Sequence, residues 1–152
     1  MTSSSTGVAR KYYLPEGLPK PAPYPDGLGK EYWEATRRHE LVVQRCNQCR
    51  NWQWGPEFIC YRCHSLDLGY EKVSGRARIF SWERCWYPVH PALQTGVPYL
   101  TVLVELPDAA NIRMIGNLLG DPMQEVVIDS AVEAVFEDHD DGDFTLVQWR
   151  VV

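Results

Sequence analysis

Four cysteines in the stretch CNQCRNWQWGPEFICYRC form two Cys-x-x-Cys pairs, Cys46 with Cys49 and Cys60 with Cys63. The turn inside each pair brings two sulfurs within reach of one ion, and two pairs complete a tetrahedral shell. The spacing therefore predicts one zinc ion per chain, bound by four thiolates. Because four sulfur ligands leave zinc no open position for water, we expect the site to be structural.

Other uses of these thiols are less consistent with the sequence. A thioredoxin-like redox pair would have to open a helix after a strand, and the second pair would then have no role. His64 follows the second pair and could ligate a metal, but four thiols already complete the shell. The fifth cysteine, Cys85, has no His-Asp or His-Asn partner nearby in the sequence, which favours a buried and unreactive thiol.

The bulk composition indicates a folded protein. The 152 residues are 45% hydrophobic and 12% aromatic, enough for one ordinary domain or two small ones. The net charge of −5 opposes broad nucleic-acid binding, which depends on excess Lys and Arg. No run of about 18 apolar residues is present, and the first residues contain no apolar secretory segment, so we expect a cytoplasmic protein with no membrane contact.

Three regions are expected along the chain. Residues 1–26 hold five of the eleven prolines and predict either a loose tail or an extended arm that lies on a partner. Residues 27–68 predict a short helix at about 29–39, a strand and a rubredoxin-like zinc ribbon. Residues 69–152 change to a two-residue period, with turn signals at Pro107-Asp108 and Asp141-Gly142.

The two-residue period predicts about five strands in the last region. Five strands in roughly 80 residues fit an OB-type barrel better than a sandwich, which usually has about seven. The fold class is therefore mainly β, with an N-terminal helix, a four-cysteine ribbon and a five-stranded barrel. The acidic run EDHDDGDF lacks the glycine and glutamate of a calcium loop and is interpreted as a hairpin turn.

The helix EYWEATRRHELVVQRC, the cysteine quartet, and the segments VSGRARIFSWERCWYP and GVPYLTVLVELPD resemble the zinc-ribbon and OB-fold family once catalogued as domain of unknown function 35. The resemblance covers residues 28–152. It implies a structural zinc and an accessory subunit of a thiolase-like enzyme, such as a retro-aldolase of steroid side-chain degradation or an acyltransferase, with the barrel near the bound acyl-CoA. In this chain Arg50 and His64 stand where the family commonly has glycine after each knuckle, and IDSAVEAVF lacks the usual glycine before a late strand.

The leading hypothesis is thus a subunit that is not catalytic alone and forms a hetero-oligomer. Trp52 and Trp54 in the ribbon add to an aromatic surface typical of an obligate interface. The residues expected to contact acyl-CoA or the partner are Arg76, Arg78, Trp82, Arg84, Trp86, His90 and Tyr99.

Two alternatives remain open from the sequence. Arginines that alternate with aromatic residues from Arg78 to Trp86 are compatible with a single-stranded nucleic-acid binder, since both ribbons and OB barrels do this work. An independent enzyme is the third hypothesis, and the absence of an open metal position weakens it.

Overall fold

The computed structural model describes residues 10–21 and 27–152. A short helix precedes a small three-stranded sheet, which with its connecting turns carries the four ribbon cysteines, and a five-stranded antiparallel sheet follows. The elements are α1 (Lys30–Arg37), β1 (Val42–Cys46), β2 (Trp52–Gln53), β3 (Leu68–Lys72), β4 (Arg76–Cys85), β5 (Tyr99–Leu106), β6 (Ile112–Asn117), β7 (Ala131–His139) and β8 (Phe144–Val151). The predicted mainly β class, with one helix before the ribbon, is confirmed.

Helix α1 is short because the backbone leaves the helical conformation just after Arg37. His39 adopts a left-handed conformation with φ of 57°, and its N–H donates to the carbonyl of Thr36. Ala35 and Thr36 are buried, while Tyr32 packs edge-on against Trp54 of the ribbon. The helix therefore packs against both the ribbon and strand β8 of the barrel and leaves its charged face in solvent.

The ribbon sheet has the order β2-β1-β3, and all its pairs are antiparallel. The barrel sheet has the order β6-β5-β4-β7-β8. A parallel bridge between Leu118 and Trp149 brings the end of β6 beside β8, so the barrel is nearly closed. The five strands thus form the OB-type barrel that the sequence predicts.

The alternation of strand residues fills the barrel interior. Along β5 the even-numbered residues from Leu100 to Leu106 are fully buried, as their two-residue period predicts. Trp149 of β8 is also fully buried, and Gly116 of β6 leaves room for its indole. Leu41 and Val43 of the ribbon belong to the same core cluster, so the ribbon and the barrel share one core.

The N-terminal arm lies on the chain's own barrel. Tyr12 is buried, and its ring stacks on that of His139 with centroids 3.8 Å apart. The Tyr13 N–H donates to Glu137 at 2.9 Å. The first nine residues and residues 22–26 of the predicted arm lie outside the described part of the chain.

Candidate functional site

The four cysteine sulfurs converge at the end of the ribbon. All four Sγ atoms lie within 4.8 Å of one another. The Sγ atoms of Cys46 and Cys63 are 3.6 Å apart, as are those of Cys49 and Cys60. A tetrahedron with zinc–sulfur bonds of about 2.3 Å has edges of roughly 3.8 Å. The cluster therefore fits a zinc site with four cysteine ligands, and the chain binds structural zinc.

Each pair of cysteines forms the same local turn. The Cys49 N–H points at Cys46 Sγ and the Arg62 N–H at Cys60 Sγ, both at 3.4 Å. Such N–H groups offset negative charge on the sulfurs. Hydrogen bonds from the backbone of Cys63 and Arg62 lower the pKa of Cys60 to about 6. The site is therefore prepared for thiolates, the form that binds zinc.

Without a bound metal ion, the pKa of the Cys63 thiol is shifted in the opposite direction to that of Cys60. Although the Ser65 N–H lowers the pKa of Cys63, desolvation and the three neighbouring thiols raise it to about 12. A further negative charge among four closely spaced sulfurs is unfavourable until a divalent cation compensates the thiolate charges. Zinc binding thus releases this proton.

The arginines beside the first knuckle are ion-paired. Arg45 Nη1 lies 2.6 Å from Glu71, and Arg50 donates to the other oxygen of the same carboxylate. The guanidinium of Arg45 also lies 4.4 Å from the centre of the Trp52 ring. Glu71 therefore neutralises part of the charge that these arginines would bring to the zinc–thiolate centre.

Sequence reasoning missed a buried pair of glutamines that connects the two knuckles. Gln53 donates to Gln44 Oε1 at 2.6 Å, and both side chains are buried. Gln44 also exchanges hydrogen bonds with the backbone N–H and carbonyl of Glu57. Gln44 and Gln53 are direct partners in the β1–β2 ladder, so hairpin pairing of the two strands was the signal available.

The predicted contact residues do not form one surface. A register shift between Ile79 and Ser81 interrupts the alternation of β4. Arg78 pairs with Glu105 before the bulge, whereas Arg84 pairs after it with Leu100, a buried residue of the opposite face. The bulge therefore places Arg78 and Arg84 on different faces of β4, and the predicted contact residues stay a prediction.

Two of the predicted contact residues make structural contacts. Arg84 donates through Nε to the Pro122 carbonyl and through Nη2 to that of Gln124, both at 2.7 Å. His90 Nδ1 accepts the N–H of Ala92 at 3.2 Å and begins a short 3₁₀ turn, Pro91–Leu93. These side chains hold the connections around the end of β4.

The remaining predicted contact residues differ in their ion pairs and in their exposure to solvent. Arg78 and Arg113 share Glu105, whereas Arg76 is exposed and has no ion pair among the described residues. Trp82 is 36% and Trp86 61% exposed. Burial raises the pKa of Tyr99, which lies beside Cys85 on the outer face of the barrel.

Two family models match consecutive parts of the chain. The model described as the ChsH2 rubredoxin-like zinc ribbon domain matches residues 33–69. The model described as the ChsH2 C-terminal OB-fold domain matches residues 70–137. Together they cover more than two thirds of the chain.

Two curated relatives match a large part of the chain. A Thermomonospora curvata protein named "Probable enoyl-CoA hydratase alpha subunit" is 33% identical over 103 residues, 67% of this chain and 30% of the relative. The Mycobacterium tuberculosis 3-oxo-4,17-pregnadiene-20-carboxyl-CoA hydratase alpha subunit is 29% identical over 119 residues, 78% of this chain and 36% of the relative. The chain thus spans about a third of the length of the curated relatives that it matches.

Solved structures agree with the fold. A chain of the structure named "Ltp2-ChsH2(DUF35) aldolase" superposes with a TM-score of 0.75 at 28% identity, over 86% of this chain and 98% of that one. A Sulfolobus solfataricus protein of the DUF35 family and unknown function superposes with a TM-score of 0.59 at 12% identity, over 86% and 89% of the two chains. Within the described residues, no helix has the length and apolar character needed to cross a bilayer.

Proposed function

Since the chain belongs to the ChsH2-type zinc-ribbon and OB-fold family, we propose that it is an accessory subunit of a thiolase-like enzyme that acts on acyl-CoA in steroid side-chain degradation. The observation that carries the proposal is the superposition on the aldolase-complex chain, which this protein matches over 98% of that chain's length. The Mycobacterium tuberculosis relative is named for a steroidal acyl-CoA, which supports the substrate class. A retro-aldolase is the favoured reaction of the complex, and acyl transfer is the alternative.

The chemistry of the chain supports a role without catalysis of its own. The four-cysteine site has no open coordination position, so it cannot activate water. Among the described residues, the four cysteines are the one His, Cys, Asp or Glu group arranged to hold a metal ion. Cys85 contacts Thr101 Oγ1 at 3.8 Å, and no imidazole is paired with it in the described contacts. The reaction is therefore assigned to the partner.

The docking surface is assigned to apolar residues beside the end of β4. Trp86, Tyr87 and Val89 follow this strand and are 61%, 77% and 75% exposed. Met123, in the β6–β7 connection, is 55% exposed, and Arg84 holds this connection to β4 through the carbonyls on either side of it. Exposed aromatic residues of this kind dominate protein interfaces.

The test is a tagged pull-down from the native host with the full chain, in which recovered proteins are identified by mass spectrometry and zinc is counted. We expect a thiolase-like chain and one zinc per copy. Trp86→Ser should weaken recovery at least tenfold, as loss of a hot-spot aromatic does. The matched control is Phe58→Ser, because Phe58 is 59% exposed but lies on the ribbon. Equal recovery by the two variants, or no thiolase-like chain, would contradict the proposal.

Coenzyme A recognition in the complex is assigned to Arg76, since its charge is not paired within the described residues. Guanidinium groups bind phosphate by paired hydrogen bonds. In the purified complex, Arg76→Ala should raise KM for the acyl-CoA several-fold with little change in kcat. Arg37→Ala is the control, because Arg37 of α1 is paired with Asp143 at 2.6 Å.

A further inference from the structure

A cavity lies between the N-terminal arm and the outer face of β7 and β8. Its walls are largely apolar, and its volume is about 130 Å³. Engineered apolar cavities of about 150 Å³ hold a benzene molecule. The arm cavity is slightly smaller than this, so one six-membered ring would fill it. The wall residues that matter here are Leu14, Leu18, His139, Phe144, Leu146 and Gln148.

The two ionisable wall residues on β7 are satisfied by each other and by the arm. Glu137 Oε1 lies 2.8 Å from His139 Nε2, and Glu137 Oε2 accepts the Tyr13 N–H at 2.9 Å. The imidazole is stacked on Tyr12 and on Phe144, with centroids 3.8 and 4.6 Å away. These two groups shape the cavity, and the other wall carboxylates, Glu16 and Asp141, lie at its exposed rim, where Asp141 is paired with Lys20.

Gln148 differs from the other wall residues because half of its amide has no partner. The residue is only 3% exposed, and its Oε1 accepts the Asn117 N–H at 2.8 Å. That bond fixes the orientation of the amide and leaves Nε2 without a hydrogen-bond acceptor in the described residues. Nε2 is not fully enclosed by protein, so a ligand carbonyl oxygen in the cavity can accept a hydrogen bond from it.

We propose that the arm cavity is a binding site for a small, uncharged, mainly apolar molecule whose carbonyl oxygen accepts a hydrogen bond from Gln148 Nε2. Apolar walls with one oriented donor select a ketone or an ester over a hydrocarbon of the same shape. The site lies within this chain, so the proposal does not depend on the accessory-subunit role.

The arm forms one wall of the site. It contacts the β4–β5 connection through a hydrogen bond from Arg10 to the Thr95 carbonyl, and the β7–β8 turn through Lys20, 2.9 Å from Asp141. These two connections flank the ligand sites of OB folds, so the arm crosses a position that such barrels commonly use for binding. Gly96 allows the approach, since a Cβ there would lie 2.4 Å from the Pro15 ring.

The experiment is a titration of the full, zinc-loaded, ¹⁵N-labelled chain, monitored by NMR at the side-chain NH₂ of Gln148. The probes are cyclohexanone and methylenecyclohexane, which have nearly the same shape but differ in the carbonyl oxygen. We expect a saturable shift with the ketone and about tenfold weaker binding of the alkene, the value for one net hydrogen bond. Gln148→Met, which identifies the resonance, should bind the two probes equally.

A second variant tests the role of the arm without altering the cavity wall. Gly96→Ala should displace Pro15 and weaken ketone binding several-fold. Gly55→Ala should bind as the parent does, because a Cβ at Gly55 meets nothing within 4 Å. The proposal is overturned by equal affinity for the two probes, by the absence of a saturable shift, or by shifts centred on the exposed loop 86–89.

Discussion

Arg50 and His64, which follow the two knuckles, adopt left-handed backbone conformations with φ of 61° each. In this position the Arg50 N–H reaches the Cys46 carbonyl at 3.0 Å, and the His64 N–H reaches that of Cys60 at 2.8 Å. This conformation costs a residue with a Cβ roughly 1–2 kcal/mol. This strain was predictable, because the sequence places a non-glycine residue where the turn needs a positive φ.

Replacement of His64 by glycine should relieve this strain. We expect His64→Gly to raise the free energy of unfolding by about 0.5–1 kcal/mol, because the relieved strain exceeds the added entropy of the unfolded glycine. Urea denaturation of the zinc-loaded protein measures the change. Arg62→Gly is the control, since Arg62 has no positive φ, and it should be destabilising. A loss of stability in His64→Gly would contradict the strain argument.

The metal ligands are predictable from spacing because both knuckles are local in sequence. The buried Gln44–Gln53 bond and the stack of Tyr12 on His139 join residues across a hairpin and across the whole chain. Such contacts depend on tertiary packing, which neither residue type nor periodicity records. The contact residues proposed for acyl-CoA remain a prediction for the same reason.

At the scale of elements, the barrel strands were predictable and the bulge in β4 was not. The two-residue period identifies all five strands, and their buried faces agree with it in β5. In β4 an extra residue at Phe80 reverses the alternation, and Arg113 packs over that ring at 3.5 Å. A bulge needs no glycine or proline, so nothing in RARIFSWERC marks it.

Asp129 provides the late turn that the family commonly makes with glycine. Its φ is 66°, and its N–H donates to the Ile79 carbonyl at 2.9 Å. An aspartate thus takes the left-handed position of this turn, which Asp tolerates better than most residues.

The packing of β6 against β8 depends on Gly116. An added Cβ would lie 2.8 Å from the Trp149 indole and 3.0 Å from the Val147 carbonyl. Gly116→Ala should therefore lower the free energy of unfolding by about 1–3 kcal/mol, the usual cost of overpacking. Urea denaturation followed by circular dichroism measures it, with Gly55→Ala as the unaffected control. Equal stability of the two variants would show that Trp149 can move away.

The contact between α1 and the β7–β8 hairpin makes stability depend on pH. Hydrogen bonds from Thr145 and His39 lower the pKa of Asp138. A lowered carboxyl pKa stabilises the fold above the unfolded value of about 3.9, and this contribution is lost as pH falls through the folded pKa. Asp138→Asn should therefore cost about 0.5 kcal/mol at pH 7, as exposed pairs do, and nothing near pH 3.

The measurement is the difference in free energy of unfolding between parent and Asp138→Asn at several pH values. Zinc release at low pH affects both proteins and cancels in this difference. A constant difference from pH 7 to pH 3 would show that the amide disturbs packing and that the charge of Asp138 is not responsible.

At the scale of the whole molecule, the ribbon and the barrel are coupled through their common core. Leu41 and Val43 of the ribbon pack in one cluster with Ile79 and Leu100 of the barrel. The Val73 N–H donates to the Leu41 carbonyl at 2.9 Å, where the chain leaves the ribbon for the barrel. Because the ribbon has little core of its own, the zinc supplies much of its folding free energy.

Zinc removal should consequently destabilise the barrel as well as the ribbon. We expect a strong chelator, or Cys60→Ser, to shift a single thermal transition to lower temperature, because loss of the ribbon exposes barrel residues that Leu41 and Val43 cover. Calorimetry with zinc counted in the same sample tests this, and Cys85→Ser should keep both the zinc and the transition. If the barrel transition stays at its original temperature after chelation, the two parts fold independently and the shared core contributes little to the stability of the barrel.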